Sequence, residues 1–355
     1  MKILSLFDGI SCGMVAMQRA GVLVSEYHAC EVDKYAIQIS QKNWPEIVRH
    51  GSVVDYHPDR HFDYLIGGSP CQGFSFAGKQ LAFDDPRSKL FFEYVRILKE
   101  CREINPNIKF LLENVKMKKE YLAVISEQLG GEPVCINSAL VSAQNRVRYY
   151  WANFPITQPE DRGLVLRDII ESGAVDREKS YCIDANYHKG GNPKRYFEKS
   201  SRQLVGISET KNGIRPYKND GRKGSFSEIG TINVEGGKAS CVSSAHAPKI
   251  RLPQSARRAQ IQEYSERCQK QIKKNSKSEN EKAIAICGNA NMTGSGVNVL
   301  TDGITYRKLT VIECERLQTL PDGYTDAVSN TQRYKCLGNG WTVDVLAHIF
   351  NENNS

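Results

Sequence analysis

No stretch of this chain is apolar for long enough to cross a bilayer. Its first residues, Met1-Lys2-Ile3-Leu4, run directly into a strand-like segment, with no signal-peptide pattern ahead of it. No membrane partner is expected, and the protein is expected to stay in the cytoplasm where it is made. The eleven cysteines include no C-x-x-C pair and no Cys/His spacing of a zinc site. An odd, scattered set of thiols argues against a disulfide framework and against a bound metal, and for reduced cysteines. Nor is either sign of charge scarce. Charged residues make up 25% and hydrophobic ones 40%, which excludes a disordered or fibrous class. The surplus of 48 basic over 40 acidic residues leaves +8, a modest bias toward a polyanionic partner.

With 355 residues there is room for one large core domain and a smaller second unit. The opening is an α/β unit. Lys2-Ile3-Leu4-Ser5-Leu6-Phe7 reads as a buried strand, Asp8-Gly9-Ile10-Ser11-Cys12-Gly13 as the turn after it, and residues 14–20 as a helix stopped by Gly21. Strand, glycine turn and helix let backbone approach a ligand closely and offer free N–H groups at the helix start. Many αβ turns carry two glycines for geometry alone, so this turn by itself is a weak signal. A second strand, residues 24–32, ends in Glu31, Val32 and Asp33. An acid at the end of strand two is placed to accept hydrogen bonds from ribose hydroxyls; the plainer alternative is a charge before the helix at 34–42.

A third short apolar run, Phe62-Asp63-Tyr64-Leu65-Ile66, ends in Gly67-Gly68-Ser69-Pro70-Cys71-Gln72-Gly73-Phe74-Ser75. Most intracellular cysteines are small buried hydrophobes, but a Pro-Cys step on a loop leaving a strand is an unusual place for one. Residues 87–103 have the spacing of an amphipathic helix, broken by Asn105-Pro106. Residues 108–112 form another buried strand, which delivers Glu113-Asn114-Val115 at the end where α/β sheets keep their active sites. Glu113 is then either a strand-end surface charge or a partly desolvated acid. Further on, Arg146 and Arg148 stand two apart in a strand-like run and so share a face; read alone they are surface charges.

Together these segments resemble the DNA (cytosine-5) methyltransferase family. Pro70-Cys71-Gln72 resembles its nucleophile motif, Glu113-Asn114-Val115 its Glu-Asn-Val motif, and Gln144-Asn145-Arg146-Val147-Arg148 its Gln-x-Arg-x-Arg motif, all in the family's order. Late in the chain, 307–318 is similar to the Arg-x-Leu-Thr…Arg-Leu-Gln segment. There Thr310 is placed as an N-cap with Glu313 at capping-box spacing. Gly338-Asn339-Gly340-Trp341 resembles the last motif, although the family usually has Ser-Val where Gly340 and Trp341 stand. The resemblance covers residues 1–155 and 305–352.

The resemblance implies a fold: a Rossmann-like α/β methyltransferase domain with a mostly parallel sheet, plus a smaller irregular target recognition domain. Residues 1–155 and 306–355 would form the first, 156–305 the second. It implies S-adenosyl-L-methionine as cofactor, surrounded by Phe7, Asp8, Gly9, Ile10, Gly13, Glu31, Val32, Ser52, Val53, Gly67, Pro70 and Asn339. Ser52 occupies a position where the family usually has Asp, and either its hydroxyl or nearby Asp55 is the substitute. The implied partner is double-stranded DNA, met by a monomer with a cognate restriction endonuclease as a possible companion. A bacterial or phage source is expected, acting at the nucleoid. Two basic clusters in 156–305 offer phosphate contacts or simply a solvated face. One is Lys189, Lys194, Arg195, Lys199 and Arg202; the other is Arg257, Arg258, Arg267, Lys270, Lys273, Lys274 and Lys277.

The chemistry suits the residue types. Carbon 5 of cytosine is a poor nucleophile until a thiolate adds at carbon 6, and cysteine is the side chain most able to do so near neutrality. By resemblance Cys71 is that nucleophile, Glu113 serves N3, Arg148 binds the base O2, and Arg146 orients the nucleophile or Glu113. An RNA cytosine-5 methyltransferase is the rival reading. One such branch carries a Cys-Phe-Thr signature, absent here. A non-catalytic DNA-binding relative is a further rival, opposed by the intact Cys71, Glu113, Arg146 and Arg148.

Overall fold

The computed structural model describes residues 1–70, 86–190, 196, 202–210, 213–214, 300–301 and 304–353. Cys71, Lys194, Arg195, Lys199 and the whole Arg257 to Lys277 cluster lie outside the described residues. The chain divides into two compact units. Unit 1 comprises Met1–Val165, Cys182–His188 and Cys314–Ser355; unit 2 comprises Leu166–Tyr181 and Lys189–Glu313.

In unit 1, β1 (Lys2–Leu6), β2 (Glu26–Cys30), β3 (Val48–Gly51), β4 (Tyr64–Gly67), β5 (Lys109–Val115), β6 (Val134–Asn137) and β8 (Val147–Ala152) make one seven-stranded sheet. The two-residue strand β7 (Gln144–Asn145) precedes β8. Sheet order is β3-β2-β1-β4-β5-β8-β6. The first five are parallel, and β8 runs antiparallel to both neighbours. Parallel strands covered on both faces read as continuous apolar runs, which is how β1, β4 and β5 were legible. Helices α1 (Cys12–Arg19), α2 (Lys34–Asn43), α3 (Pro86–Ile104) and α4 (Lys119–Leu129) connect them. One face buries Leu4, Leu65, Phe91, Tyr94, Leu98, Phe110 and Trp151 in a single core.

Strand order reverses beside β1, whose neighbours are β2 and β4. Ligands of open α/β sheets bind at such a switch point, beyond the carboxyl ends of the strands. The turn at 7–11 and the segment 67–70 both leave the sheet there.

The chain returns to unit 1 after unit 2. Helix α6 (Val311–Leu317) precedes α7 (Asn330–Asn339) and α8 (Val343–Asn351). Helix α8 buries Val343, Val345, Leu346, Ile349 and Phe350, each contributing roughly 1.5–3 kcal/mol on full burial. A buried polar knot anchors its start. Gln144 Nε2 donates to Gln318 Oε1 at 2.9 Å, Thr342 Oγ1 donates to the same oxygen at 3.1 Å, and Ser138 Oγ donates to Thr342 Oγ1 at 2.9 Å. These residues hold segments far apart in sequence in one register.

Unit 2 contains the short helix α5 (Leu166–Ile169) and strand β9 (Ser180–Tyr181). Its main sheet is β11-β10-β13-β12, from β10 (Leu204–Thr210), β11 (Gly213–Ile214), β12 (Leu300–Thr301) and β13 (Ile304–Lys308). The expected capping box is present: Glu313 N donates to Thr310 Oγ1 at 3.1 Å and Thr310 N to Glu313 Oε2 at 2.7 Å. Glu313 also accepts both terminal nitrogens of buried Arg307 at 2.7 Å each, so it serves as cap and counter-ion together.

Candidate active site

At the end of β1 the backbone is tightly wound. Phe7 and Ser11 hold left-handed φ values of 58° and 59°, with Gly9 at 59° between them. Non-glycine residues in that region cost about 1–3 kcal/mol each and persist where surroundings enforce them, commonly at ligand sites. The enforcement is visible. Gly9 N donates to Glu31 Oε2 at 2.8 Å, while Val32 N and Asp33 N donate to Glu31 Oε1 at 2.7 Å. Glu31 thus pins the glycine turn to the end of β2, with lone pairs left over for hydroxyl donors. Val32, 72% exposed, offers an open apolar surface beside it. Asp8 is buried, and burial raises its pKa although Ser11 Oγ (2.5 Å) and Tyr27 Oη (2.8 Å) donate to it.

The other residues expected around a cofactor are spread over these strand ends. Ile10 is buried, with its carbonyl accepting from Tyr324 Oη at 2.8 Å. Gly13 lies in α1, Gly67 ends β4, and Pro70 closes the described part of the loop. Ser52 Oγ accepts from Val54 N at 3.1 Å, Val53 is buried, and Asn339 is exposed at the end of α7. An open groove of about 700 Å³ lies elsewhere in unit 1, bordered by Arg19, Arg162 and Arg316. Asp344 pairs with Arg19 and Arg162, and Asp322 with Arg316, so its arginines are already neutralised.

Glu113 is 8% exposed on β5, so it is a partly desolvated acid and not a strand-end surface charge. The antiparallel register sets Glu113 opposite Tyr150 and Val115 opposite Arg148, which makes Glu113 and Arg148 diagonal neighbours on one face. Arg148 Nε meets Glu113 Oε1 at 2.8 Å. The second oxygen, Oε2, accepts from Trp341 Nε1 at 3.0 Å. Next along β5, Asn114 Nδ2 donates to Ser69 Oγ at 3.2 Å, tying this strand end to the residues just before Cys71.

Arg146, 3% exposed, is held differently. Its guanidinium donates to the carbonyls of Ile183 (3.2 Å), Gly338 (3.3 Å) and Gly340 (2.7 Å), and to Cys182 Sγ (3.2 Å). It joins three chain segments, while the ion pair to Glu113 is made by Arg148. Both arginines converge on Cys182, with Arg148 Nη2 at 4.0 Å from the sulfur. Burial opposes ionisation of that thiol, but the two guanidiniums outweigh it and hold its pKa below the ordinary value.

Trp341, Ser69 and Cys182 were not selected from the sequence. Trp341 stood out only as a departure from a motif. Cys182 lies 36 residues from Arg146, with nothing local to mark it.

The family described as C-5 cytosine-specific DNA methylase matches residues 1–132 and 134–354. An orphan methyltransferase of Bacillus phage SPR, M.SPRI, is 28% identical over 99% of this chain and 97% of its own length. The type II methyltransferase M1.ScrFI of Lactococcus lactis subsp. cremoris is 37% identical over 43% of this chain and 41% of its own. Among solved structures, a DNMT2 of Spodoptera frugiperda superposes with a TM-score of 0.56 at 17% identity, over 98% of this chain and 97% of that one. The Entamoeba histolytica methyltransferase EhMeth gives 0.54 at 13%, over 100% and 98%. These structures share the fold, and the family match runs through the glycine turn, the Glu113 strand, the two arginines and the returning helices. The chain belongs to the C-5 cytosine-specific DNA methylase family.

Proposed function

We propose that this chain is a sequence-specific DNA methyltransferase. It transfers a methyl group from S-adenosyl-L-methionine to C5 of a cytosine flipped out of duplex DNA, through a covalent adduct at Cys71. The observation that carries this reading is the buried Glu113 carboxylate. It is paired with Arg148 and bonded by Trp341, on a strand end tied through Asn114 and Ser69 to the segment entering Cys71. The bacterial and phage origin of the similar sequences favours DNA as the substrate.

The donor set at the ends of β1 and β2 suits the cofactor. Glu31 offers acceptors for ribose hydroxyls, Val32 an apolar surface, and the wound turn at Phe7, Asp8 and Gly9 close backbone approach. When bound, S-adenosyl-L-methionine supplies an electrophilic methyl group.

The chain's own residues would do the rest. A base inside a duplex is out of reach, so it leaves the stack at a cost of a few kcal/mol. The Cys71 thiolate adds to C6, forming a C–S bond. The displaced electron pair moves toward N3, which takes a proton delivered by Glu113. Carbon 5, now enamine-like, would take the methyl group, leaving S-adenosyl-L-homocysteine as the thioether, and N3 would return its proton to Glu113 as the C4–N3 double bond re-forms. Loss of the C5 proton to a base, water included, then expels Cys71 and restores the ring. Arg148 holds the Glu113 carboxyl and presents further N–H donors for the base O2. Arg146 fixes the walls of the site through carbonyls.

The test uses purified protein, S-adenosyl-L-methionine and an unmethylated plasmid, read by bisulfite sequencing with Cys71→Ser alongside. Protected cytosines recurring in one sequence, and lost in the variant, are expected. Absence of protection while the cofactor binds would overturn the DNA substrate and turn attention to RNA.

A further inference from the structure

The indole of Trp341 occupies a slot that this chain keeps open with glycine. A Cβ built on Gly68 would stand 2.8 Å from Trp341 Nε1 and 3.2 Å from Glu113 Oε2. A Cβ on Gly13 would stand 3.6 Å from Trp341 Cζ3, an ordinary van der Waals contact, so Gly68 is the glycine the indole requires. The side chain is 8% exposed, and its single polar atom is spent on Glu113 Oε2 at 3.0 Å. An indole has one N–H and no acceptor, so it fixes direction as well as distance. Arg148 Nε, at 2.8 Å, holds the other oxygen. A carboxyl gripped at one oxygen can still swing about its Cγ–Cδ bond, whereas grips at both oxygens define its plane. Trp341 stands where the resemblance leads one to expect Ser-Val.

We propose that Trp341 is a positioning residue for Glu113, fixing the plane of its carboxyl through Oε2 so that the acid meets N3 of the flipped base in a productive orientation. The inference rests on the proposed role of Glu113. Catalytic groups held by neighbours contribute through orientation, and removing one partner of a buried hydrogen bond costs about ten- to a hundredfold in the step that needs it. Such a loss is expected in kcat more than in KM, because the bond removed acts on the acid and not on the cofactor.

The test replaces Trp341 by β-(3-benzothienyl)alanine, which keeps the bicyclic shape and puts sulfur where the N–H was; Trp341→Phe is the genetic counterpart. Single-turnover transfer of a labelled methyl group to plasmid DNA is measured with each, alone and combined with Glu113→Gln. The expected result is a ten- to hundredfold fall in rate, with KM for S-adenosyl-L-methionine and for DNA within twofold of the parent. The combination with Glu113→Gln should be no slower than Glu113→Gln alone, since the two act as a unit. A parent-like rate for the benzothienyl protein would overturn the proposal. So would a raised cofactor KM at unchanged rate, or a second, independent loss on top of Glu113→Gln. An unmodified protein that methylates no DNA would instead refute the proposed function itself, which separates the two failures.

Discussion

Arg146 and Arg148 stand two positions apart, yet the structure gives them different tasks. Arg148 neutralises and orients Glu113, while Arg146 spends its donors on three carbonyls and a sulfur. Their spacing in the sequence put them on one face, and both do reach Cys182. The division of labour depends on what lies opposite each, which no local pattern encodes. Cys182 is the consequence that can be measured. Its thiol is held below the ordinary range by the two guanidiniums, whereas burial pushes Cys12, Cys30, Cys101 and Cys336 up to about 12. Alkylation of the peptide containing Cys182, followed by mass spectrometry against pH, should therefore show a midpoint below the usual value of about 8.5. Arg146→Gln should move that midpoint upward. A midpoint at or above the ordinary thiol value would refute the assignment.

Among the elements, the antiparallel pairing of β5 with β8 does most to make the site. The Glu113–Arg148 diagonal exists only in the observed register, because a slip by one residue would turn Arg148 to the opposite face. Helix α7 shows a second dependence on close fit. A Cβ on Gly338 would fall 2.2 Å from the carbonyl carbon of Asp184 and 2.3 Å from Ala185 N, which are backbone atoms without freedom to yield. Gly338→Ala should cost about 1–3 kcal/mol or more by denaturant unfolding, and should lower activity because Gly338 O anchors Arg146.

At the sheet edge, His28 on β2 and His50 on β3 stack with ring centroids 5.1 Å apart and share a hydrogen bond of 2.8 Å. Burial lowers the pKa of both, and for His50 the neighbouring His28 lowers it further. Above about pH 6.5 both rings are neutral, folded or unfolded. As pH falls through that value the unfolded chain takes up protons first, so stability declines until the lower folded pKa values are reached. Denaturant midpoints should fall between pH 7 and 5, and His50→Gln should flatten that slope; equal slopes in both proteins would exclude the pair as its source.

For the molecule as a whole, the excess of +8 charges is a statement about partners more than about fold. If the partner is duplex DNA, neutralising about six phosphates makes affinity fall by on the order of 10³ between 50 and 200 mM salt. Fluorescence anisotropy with a labelled duplex would measure the slope, and an affinity indifferent to salt would argue against a phosphate-tracking interface.

In unit 1, β1, β2, β4, β5 and helices α1 to α3 were readable because buried parallel strands are apolar runs punctuated by glycine, proline and caps, whereas β3, which buries no residue, and α7 were not. Thr310 and Glu313 cap their helix as their spacing foretold, since a capping box is a local bargain between side chain and backbone. The acid near the end of β5 stood out by its place after an apolar run, but only the resemblance to the Glu-Asn-Val motif favoured a desolvated acid over a surface charge. What the residues determine alone, then, is local: element type, element ends and an inventory of reactive groups in order. The tertiary structure decided which groups meet. Trp341 lies 228 residues from Glu113, and Arg146 reaches carbonyls 192 and 194 positions away. Contacts of that span are fixed by strand order, register and the return of α8 across the sheet. Those are set by the packing of the whole core, and no window of sequence contains them.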